Sequence, residues 1–368
     1  MPYTFNRTIT IQGSGQVPST QTNFPVLVYG TYAFLKTVGN GGNVQSTSGY
    51  DIIFTSDALG ATPLNFERVV WGASTGTVEF WILIPSLTAT TVFYLWYGNS
   101  AVTTDQQSKT AVWTNSYASV MHQGDGSTTN FTDSTANANN GASGGAGPTA
   151  ITAKIGGGSV CTGGSFVDIP DAASLKPATA LTISCWWGPP GTGQGNFARV
   201  LQKGSAAAAP FASYGFFYNG TDQTNVGAIL GKADSTSIQT FTGAGVVQTN
   251  VFQYLVATYD NPSGALKLYY NGTFKTSATG TTGAIFYDAQ HLMLCNTPQN
   301  NFGNGTIDEF RLSSVVRSQD WITTEYNNQN APASFYAVGS AVAAVTTAAS
   351  GGASGIGNQG SGQKGFMA

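Results

Sequence analysis

The chain has 368 residues, of which 41% are hydrophobic and 12% aromatic but only 8% charged, with a formal net charge of −3. That much apolar material excludes disorder over most of the length, and the 47 glycines follow no Gly-X-Y period, which excludes collagen. The basic residues are scattered singly and no uninterrupted run of about 18 apolar residues occurs, so neither nucleic acid nor a membrane is an expected partner.

In chain order, the first hundred residues read as short strands at 8–11, 25–29, 51–54, 77–84 and 92–97, each bounded by Gly, Pro, Asn or Ser. Along 77–84, Val78, Phe80, Ile82 and Ile84 share one face while Thr77, Glu79, Trp81 and Leu83 share the other, as suits a central strand. The loop Gly72 to Gly76, following Phe66 to Trp71, predicts a hairpin, and a short helix is expected at 32–37. Residues 105–116 turn polar and read as a linker between an N-terminal unit of short strands, 1–104, and a second unit, 117–339. There, strands are expected at 160–169, 181–187, 199–203, 214–218, 226–230, 252–259, 266–270, 291–295 and 305–312, the density of a sandwich or jelly roll. Asn271-Gly272 marks a tight hairpin, because both residues tolerate positive φ. Ser318 to Gln329 reads as a helix with Ser318 as N-cap. Residues 340–368 form a low-complexity tail of Ala, Gly and Ser, either a flexible linker or an assembly segment. The fold class is therefore all-β, with a low-complexity C-terminal tail.

Reacting groups are few: 13 Asp, 4 Glu and 2 His. No HExxH, serine nucleophile elbow or phosphate-binding loop is recognised, and the adjacent acids Asp308 and Glu309 are expected on opposite faces of a strand, so the chain is not expected to be an enzyme. His122 and His291 read as packed or hydrogen-bonded side chains. Cys161, Cys185 and Cys295 are odd in number and widely spaced; they read as buried free thiols, with one pair and a leftover thiol as the alternative. Trp186 and Trp187 are neighbours on one strand, so one must leave the core or enter a second layer. Among the aromatics, which include Tyr214, Phe216, Phe217 and Tyr270, the expected ligand-binding residues are Trp186, Tyr218 and Tyr269. The alternative for each is a place in the core.

Several phrases carry a resemblance: Asp133-Ser134-Thr135-Ala136-Asn137-Ala138-Asn139-Asn140-Gly141, Phe166-Val167-Asp168-Ile169-Pro170-Asp171, Leu181-Thr182-Ile183-Ser184-Cys185-Trp186-Trp187, Leu266-Lys267-Leu268-Tyr269-Tyr270-Asn271-Gly272 and Gly305-Thr306-Ile307-Asp308-Glu309-Phe310. Their order and spacing resemble the laminin-G-like domains of the concanavalin A-like superfamily. Upstream, Phe24 to Val28, Tyr50 to Thr55 and Thr91 to Asn99 resemble a small β-domain that commonly precedes such a domain. The resemblance implies two β-sandwich domains, an N-terminal one of unknown function at 1–104 and a concanavalin A-like jelly roll at 117–339, and glycan or surface binding more than chemistry. It also implies Asp133 and Asp308 as ligands of a structural Ca2+, the alternative being Asx-turns that satisfy the loop without metal.

The residues from Met1 to Gln12 show no secretory signal pattern, and with no disulfide expected, the sequence reads as a virion component. The expected function is a non-catalytic surface protein of a bacteriophage, a tail-associated adhesin or capsid decoration protein. Its expected partners are host-surface glycans and other virion proteins or copies of itself. The alternatives are a secreted carbohydrate-binding adhesin, extracellular or at the bacterial cell surface, and a polysaccharide-degrading enzyme.

Overall fold

In the computed structural model, which describes residues 2–191, 194–205, 207–220 and 222–343, six strands build a first sandwich. They are β1 (Phe5–Ile11), β2 (Gln21–Thr31), β3 (Ile53–Thr55), β4 (Phe66–Trp71), β5 (Thr77–Leu87) and β6 (Val92–Tyr97). β1, β6 and β3 lie side by side in one sheet and β2, β5 and β4 in the other. Ile9, Val28, Phe54, Phe80, Ile82 and Leu95 fill the space between them. The hairpin expected at 72–76 joins β4 to β5, and the segment at 32–37 forms a single 3-10 turn, Ala33–Leu35. The tail expected at 340–368 lies, from residue 344 on, outside the described residues.

The second sandwich faces a seven-stranded sheet against an eight-stranded one. Alternation along strand Ala180–Gly188 sends Ile183, Cys185 and Trp187 into the space between the sheets and Trp186 to the outer side. Leu255, Ala257, Leu268, Phe310 and Leu312 join that core from the same sheet, and Tyr214, Phe216, Val226, Ala228 and Leu294 meet them from the other. The turn at Asn271-Gly272 takes φ values of 50° and 76°, the left-handed pair that a two-residue hairpin needs. Among the described residues no helix is long and apolar enough to cross a membrane.

The core of the first sandwich extends over the outer face of the second one's eight-stranded sheet, taking in Trp186, Tyr254 and Tyr269, while the second sandwich keeps a core of its own between its sheets. Helix Gln319–Asn330 is capped by Ser318, whose Oγ accepts from the Trp321 backbone N–H at 3.1 Å, and it buries Trp321 and Ile322 beside Phe24, Trp186 and Tyr254. Beyond it, strand Tyr336–Val338 pairs with β1. The unit expected at 117–339 therefore ends inside the first sandwich. The reason lies in β2, an edge strand whose outward N–H and C=O groups need partners. The Asn328 amide supplies them at Leu27, accepting at 2.7 Å and donating at 3.0 Å, and the Tyr336 hydroxyl does so at Tyr29, at 2.9 and 3.0 Å. These side chains cap the edge as a further strand would.

The cysteines differ from expectation. Cys161 and Cys295 form a disulfide, Cα to Cα 6.3 Å, and only Cys185 is free and buried. The bond ties strand Gly157–Cys161 of the eight-stranded sheet to the end of strand Leu292–Leu294 in the other, a juxtaposition across 134 residues that local spacing does not encode.

Candidate functional site

The outer face of the seven-stranded sheet carries an apolar floor. Strand Tyr214–Asn219 points Tyr214, Phe216 and Tyr218 inward, leaving Phe217 outside; on the next strand Ile229 lies outside between the inward Ala228 and Leu230. Phe241 packs beside them, over Gly227, where a Cβ would stand 2.4 Å from the ring. Two loops raise further rings at the rim: Phe197 and Phe211 both adopt left-handed φ, 53° and 64°, and remain 49% and 40% exposed. Large apolar side chains held open to water beside an apolar floor mark a contact surface.

Arg199 organises this cleft. Its guanidinium lies 4.6 Å from the centroid of the Phe217 ring, with Nε donating to Gln202 Oε1 at 2.6 Å and Nη1 to the Phe197 carbonyl. Gln202 in turn donates to the Phe211 carbonyl at 3.1 Å, so one side-chain pair holds both aromatic loops. Burial pulls the Arg199 pKa down to about 10, which leaves it charged at neutral pH. The cleft holds about 360 Å³, with Gln239 and Asn301 among its polar walls. A second groove of about 360 Å³ adjoins it at Asn301 and is lined by Asn196, Asn300, Phe302 and Asn304.

The aromatic residues expected to bind ligand lie elsewhere. Trp186 is 1% exposed, stacked against Tyr326 and donating through Nε1 to Gln329 Oε1 at 2.6 Å, so the helix and first sandwich form the second layer that covers it. Tyr218 is fully buried, its hydroxyl accepting from Trp187 Nε1 at 2.8 Å. Tyr269 is 5% exposed, buried where the first sandwich's core covers the outer face of the eight-stranded sheet. None offers a free ring face. Tyr218 misses by one residue: its neighbour Phe217 is the outward one.

The expected Ca2+ ligands do not form an open site. Asp133 Oδ1 accepts from the backbone of Val120 and Thr135, and Oδ2 from Thr135 Oγ1 and the Asn139 backbone, all within 3.0 Å, which is the loop-closing alternative. Asp308 is wholly buried, with Oδ2 accepting from the Ile155 backbone at 2.9 Å; burial, then Glu309, pushes its carboxyl well above the ordinary range. His291 Nδ1 lies 2.8 Å from Asp168, a partner that sequence separation concealed.

Asp308 borders a buried ionic network where the two sandwiches meet. His122 Nδ1 lies 2.6 Å from Glu309, its Nε2 3.3 Å from Glu67, and Glu79 is 3.8 Å away; the imidazole packs against both Trp81 and Trp113, whose rings also touch each other. Arg311 bonds Glu309 at 2.7 Å and Glu325 at 2.5 Å, with Trp81 4.3 Å beneath its guanidinium. Burial works against a charged His122, but Glu309 and Glu67 outweigh it and hold the imidazolium well above its ordinary pKa. Burial likewise pushes Glu309 upward, and His122 and Arg311 overcome it and hold the carboxylate below its ordinary value. Glu79, raised to about 8 by burial and then by Glu309, is the neutral member. Contrary to the opposite faces expected of them, Asp308 and Glu309 both lie away from the core face that Ile307 and Phe310 occupy, because Glu309 takes a left-handed φ of 50° where its strand bulges. Among the described residues, Glu79, His122 and Glu309 are the group close enough to share an ion, but Arg311 and the imidazolium already compensate their charge. A polar cleft of about 280 Å³ opens beside Glu67 and His122, and its floor atoms are taken up by one another and by Ser134.

Residues 162–323 match the family described as the concanavalin A-like lectin/glucanases superfamily. This segment is a concanavalin A-like domain. Both sheets of the second sandwich, and the aromatic cleft on one of them, lie largely within it. No curated protein sequence matches the chain. Similar solved structures include the binding domain of Paraclostridial Mosquitocidal Protein 1, at 12% identity and TM-score 0.45, with 53% of this chain and 48% of that one covered. Domain 4 of AbnA, a GH43 extracellular arabinanase from Geobacillus stearothermophilus, in complex with arabinotriose, is similar at 22% identity and TM-score 0.42, covering 53% and 91%. The botulinum neurotoxin serotype D ligand binding domain in complex with N-acetylneuraminic acid is similar at 14% identity and TM-score 0.46, covering 60% and 53%. The chain thus spans about half the length of the two toxin fragments.

Proposed function

We propose that the concanavalin A-like domain binds glycans, without catalysis, in the cleft between Phe197 and Phe211. The observation that carries this reading is the pair of exposed phenyl rings above the Phe217 floor, beside the amides of Gln239 and Asn301. Sugars present apolar C–H faces and hydroxyl edges, and a few placed polar groups in an apolar concavity suit both. No acid lines the cleft or its neighbouring groove, whereas glycoside hydrolysis needs two carboxyl groups about 5 to 10 Å apart. In this reading the protein is an adhesin working outside a reducing cytoplasm, on a virion or a bacterial surface. The Cys161–Cys295 bond supports such a setting, and it withdraws the support that an absence of disulfides lent to the virion alone.

A glycan array probed with the full chain tests the reading, with reducing-end release measured on every retained polysaccharide. Retention is expected, with no release of ends. The double variant Phe197→Ala/Phe211→Ala should lose about ten-fold or more in affinity, the scale of losing an aromatic anchor, at unchanged melting temperature. Retention unaffected by the double variant would overturn the site, and shortened polysaccharide would favour an enzyme.

A further inference from the structure

We infer that the glycan taken by this cleft is acidic, carrying a carboxylate or sulfate that pairs with Arg199. The inference rests on the glycan-binding reading and names the ligand's charge. Arg199 is 5% exposed and lines the cleft, yet no acid lies within ion-pair distance of it. Every Asp and Glu of the chain falls within the described residues. Burial is accordingly the whole cause of its lowered pKa, with no carboxylate opposing it. A buried cation without a counter-charge is costly unless something completes it.

The guanidinium is also arranged to receive an anion. Nε and Nη1 are fixed by Gln202 and Phe197, and the Phe217 ring supports the plane, while Nη2 has no acceptor among the described residues. An arginine held in this way offers donors of fixed geometry to carboxylate or sulfate oxygens and loses little freedom on binding. Other buried cations differ. Arg317 is enclosed by Tyr117, Trp321, Asn115 and Ser313, and Lys232 is bonded to Tyr259 and Gly283. Neither lines this cleft. The walls around Arg199 carry amides and rings but no carboxylate, so an anionic sugar meets no repulsion there.

The test uses the full chain and a polysaccharide panel sorted into neutral, uronic-acid-bearing and sulfated members, with affinities measured by calorimetry at low and high NaCl. Acidic members are expected to bind at least about ten-fold tighter than neutral ones, the scale of a charge-assisted hydrogen bond, and to weaken with salt. Arg199→Met should remove that preference and Arg199→Lys should restore part of it. Selectivity for uronates alone assigns a carboxylate, and selectivity for sulfated members alone assigns a sulfate. Equal or preferential binding of neutral members, insensitive to salt, overturns the acidic ligand while leaving glycan binding intact. No retention of any class removes both. The salt dependence and ligand preference of the unaltered chain keep the inference testable should Arg199→Met fail to fold.

Discussion

Glu79 and His122 occupy the same buried network, but their substitution should have opposite consequences. Glu79 is 1% exposed, and burial and then Glu309 raise its pKa to about 8, so at pH 7 the folded protein holds it mostly as a neutral acid. Glutamine copies that acid in size and polarity, so Glu79→Gln should cost less than about 1 kcal/mol at pH 7. His122 is the imidazolium between Glu309 at 2.6 Å and Glu67 at 3.3 Å; replacing it by Gln strands buried carboxylates and should cost about 3–5 kcal/mol. The pH dependence follows with a definite sign. A carboxyl whose folded pKa lies above its ordinary 4.5 binds its proton more tightly in the folded state, so its contribution is complete below about pH 4.5 and is lost as pH rises toward about 8. The slope is at most about 1.4 kcal/mol per pH unit, or a few kcal/mol over the window. His122, also raised, loses its contribution in the same direction as pH rises through its folded value, whereas lowered Glu309 loses its contribution only as pH falls. Urea denaturation at pH 5, 7 and 9 measures all of this. Stability should decline from pH 5 upward, less steeply in Glu79→Gln. A Glu79→Gln variant as damaged at pH 7 as His122→Gln, or wild-type stability rising between pH 5 and 8, would refute the assignment of charges.

Two further outcomes are expected. Reducing the Cys161–Cys295 bond, or replacing both residues by Ser, should lower stability by about 5 kcal/mol on the loop-entropy scale for 134 residues, read by denaturation with and without reductant; the unfolded, unreduced chain should expose a single thiol, Cys185. Trp186→Ala should cost about 3–5 kcal/mol by leaving a cavity under the helix and an unpaired Gln329, with glycan affinity unchanged; a loss of binding without destabilisation would return Trp186 to the binding face.

Much of this fold could be read from the sequence because two-residue alternation and turn chemistry are local. Asn271-Gly272, Ser318 and the strands around them fall where the pattern puts them. The failures have a common cause, in that they depend on which layer covers a face. Alternation separates Trp186 from Trp187 but does not say that a helix from residue 319 onward covers the outer one. Period-two reading places Phe217 and Tyr218 on opposite faces, yet the choice of the outward face needs the second sheet. Phe197 and Phe211 sit in loops with no periodicity, and a left-handed φ on phenylalanine has no sequence signature. The disulfide and the His122 network join residues more than a hundred positions apart, beyond any spacing motif.

The scarcity of charge takes on a different meaning once the charges are located. All four glutamates are buried, and all four enter the network of His122 and Arg311 where the sandwiches meet. Glu67 and Glu79 come from the first sandwich, Glu309 from the second and Glu325 from the helix that joins them. An ionic contact of this kind adds little net stability over apolar packing, but it tolerates few alternative arrangements, since any displacement leaves a carboxylate or guanidinium unpaired in a dry interior. The chain therefore uses its glutamates to fix the orientation of the two sandwiches. Arg199 follows the opposite logic within the same interior chemistry: it is buried, positioned and left without an acid partner among the described residues, beside the open rings of Phe197 and Phe211. Where Arg311 is completed by acids of its own chain, Arg199 is completed only by what binds.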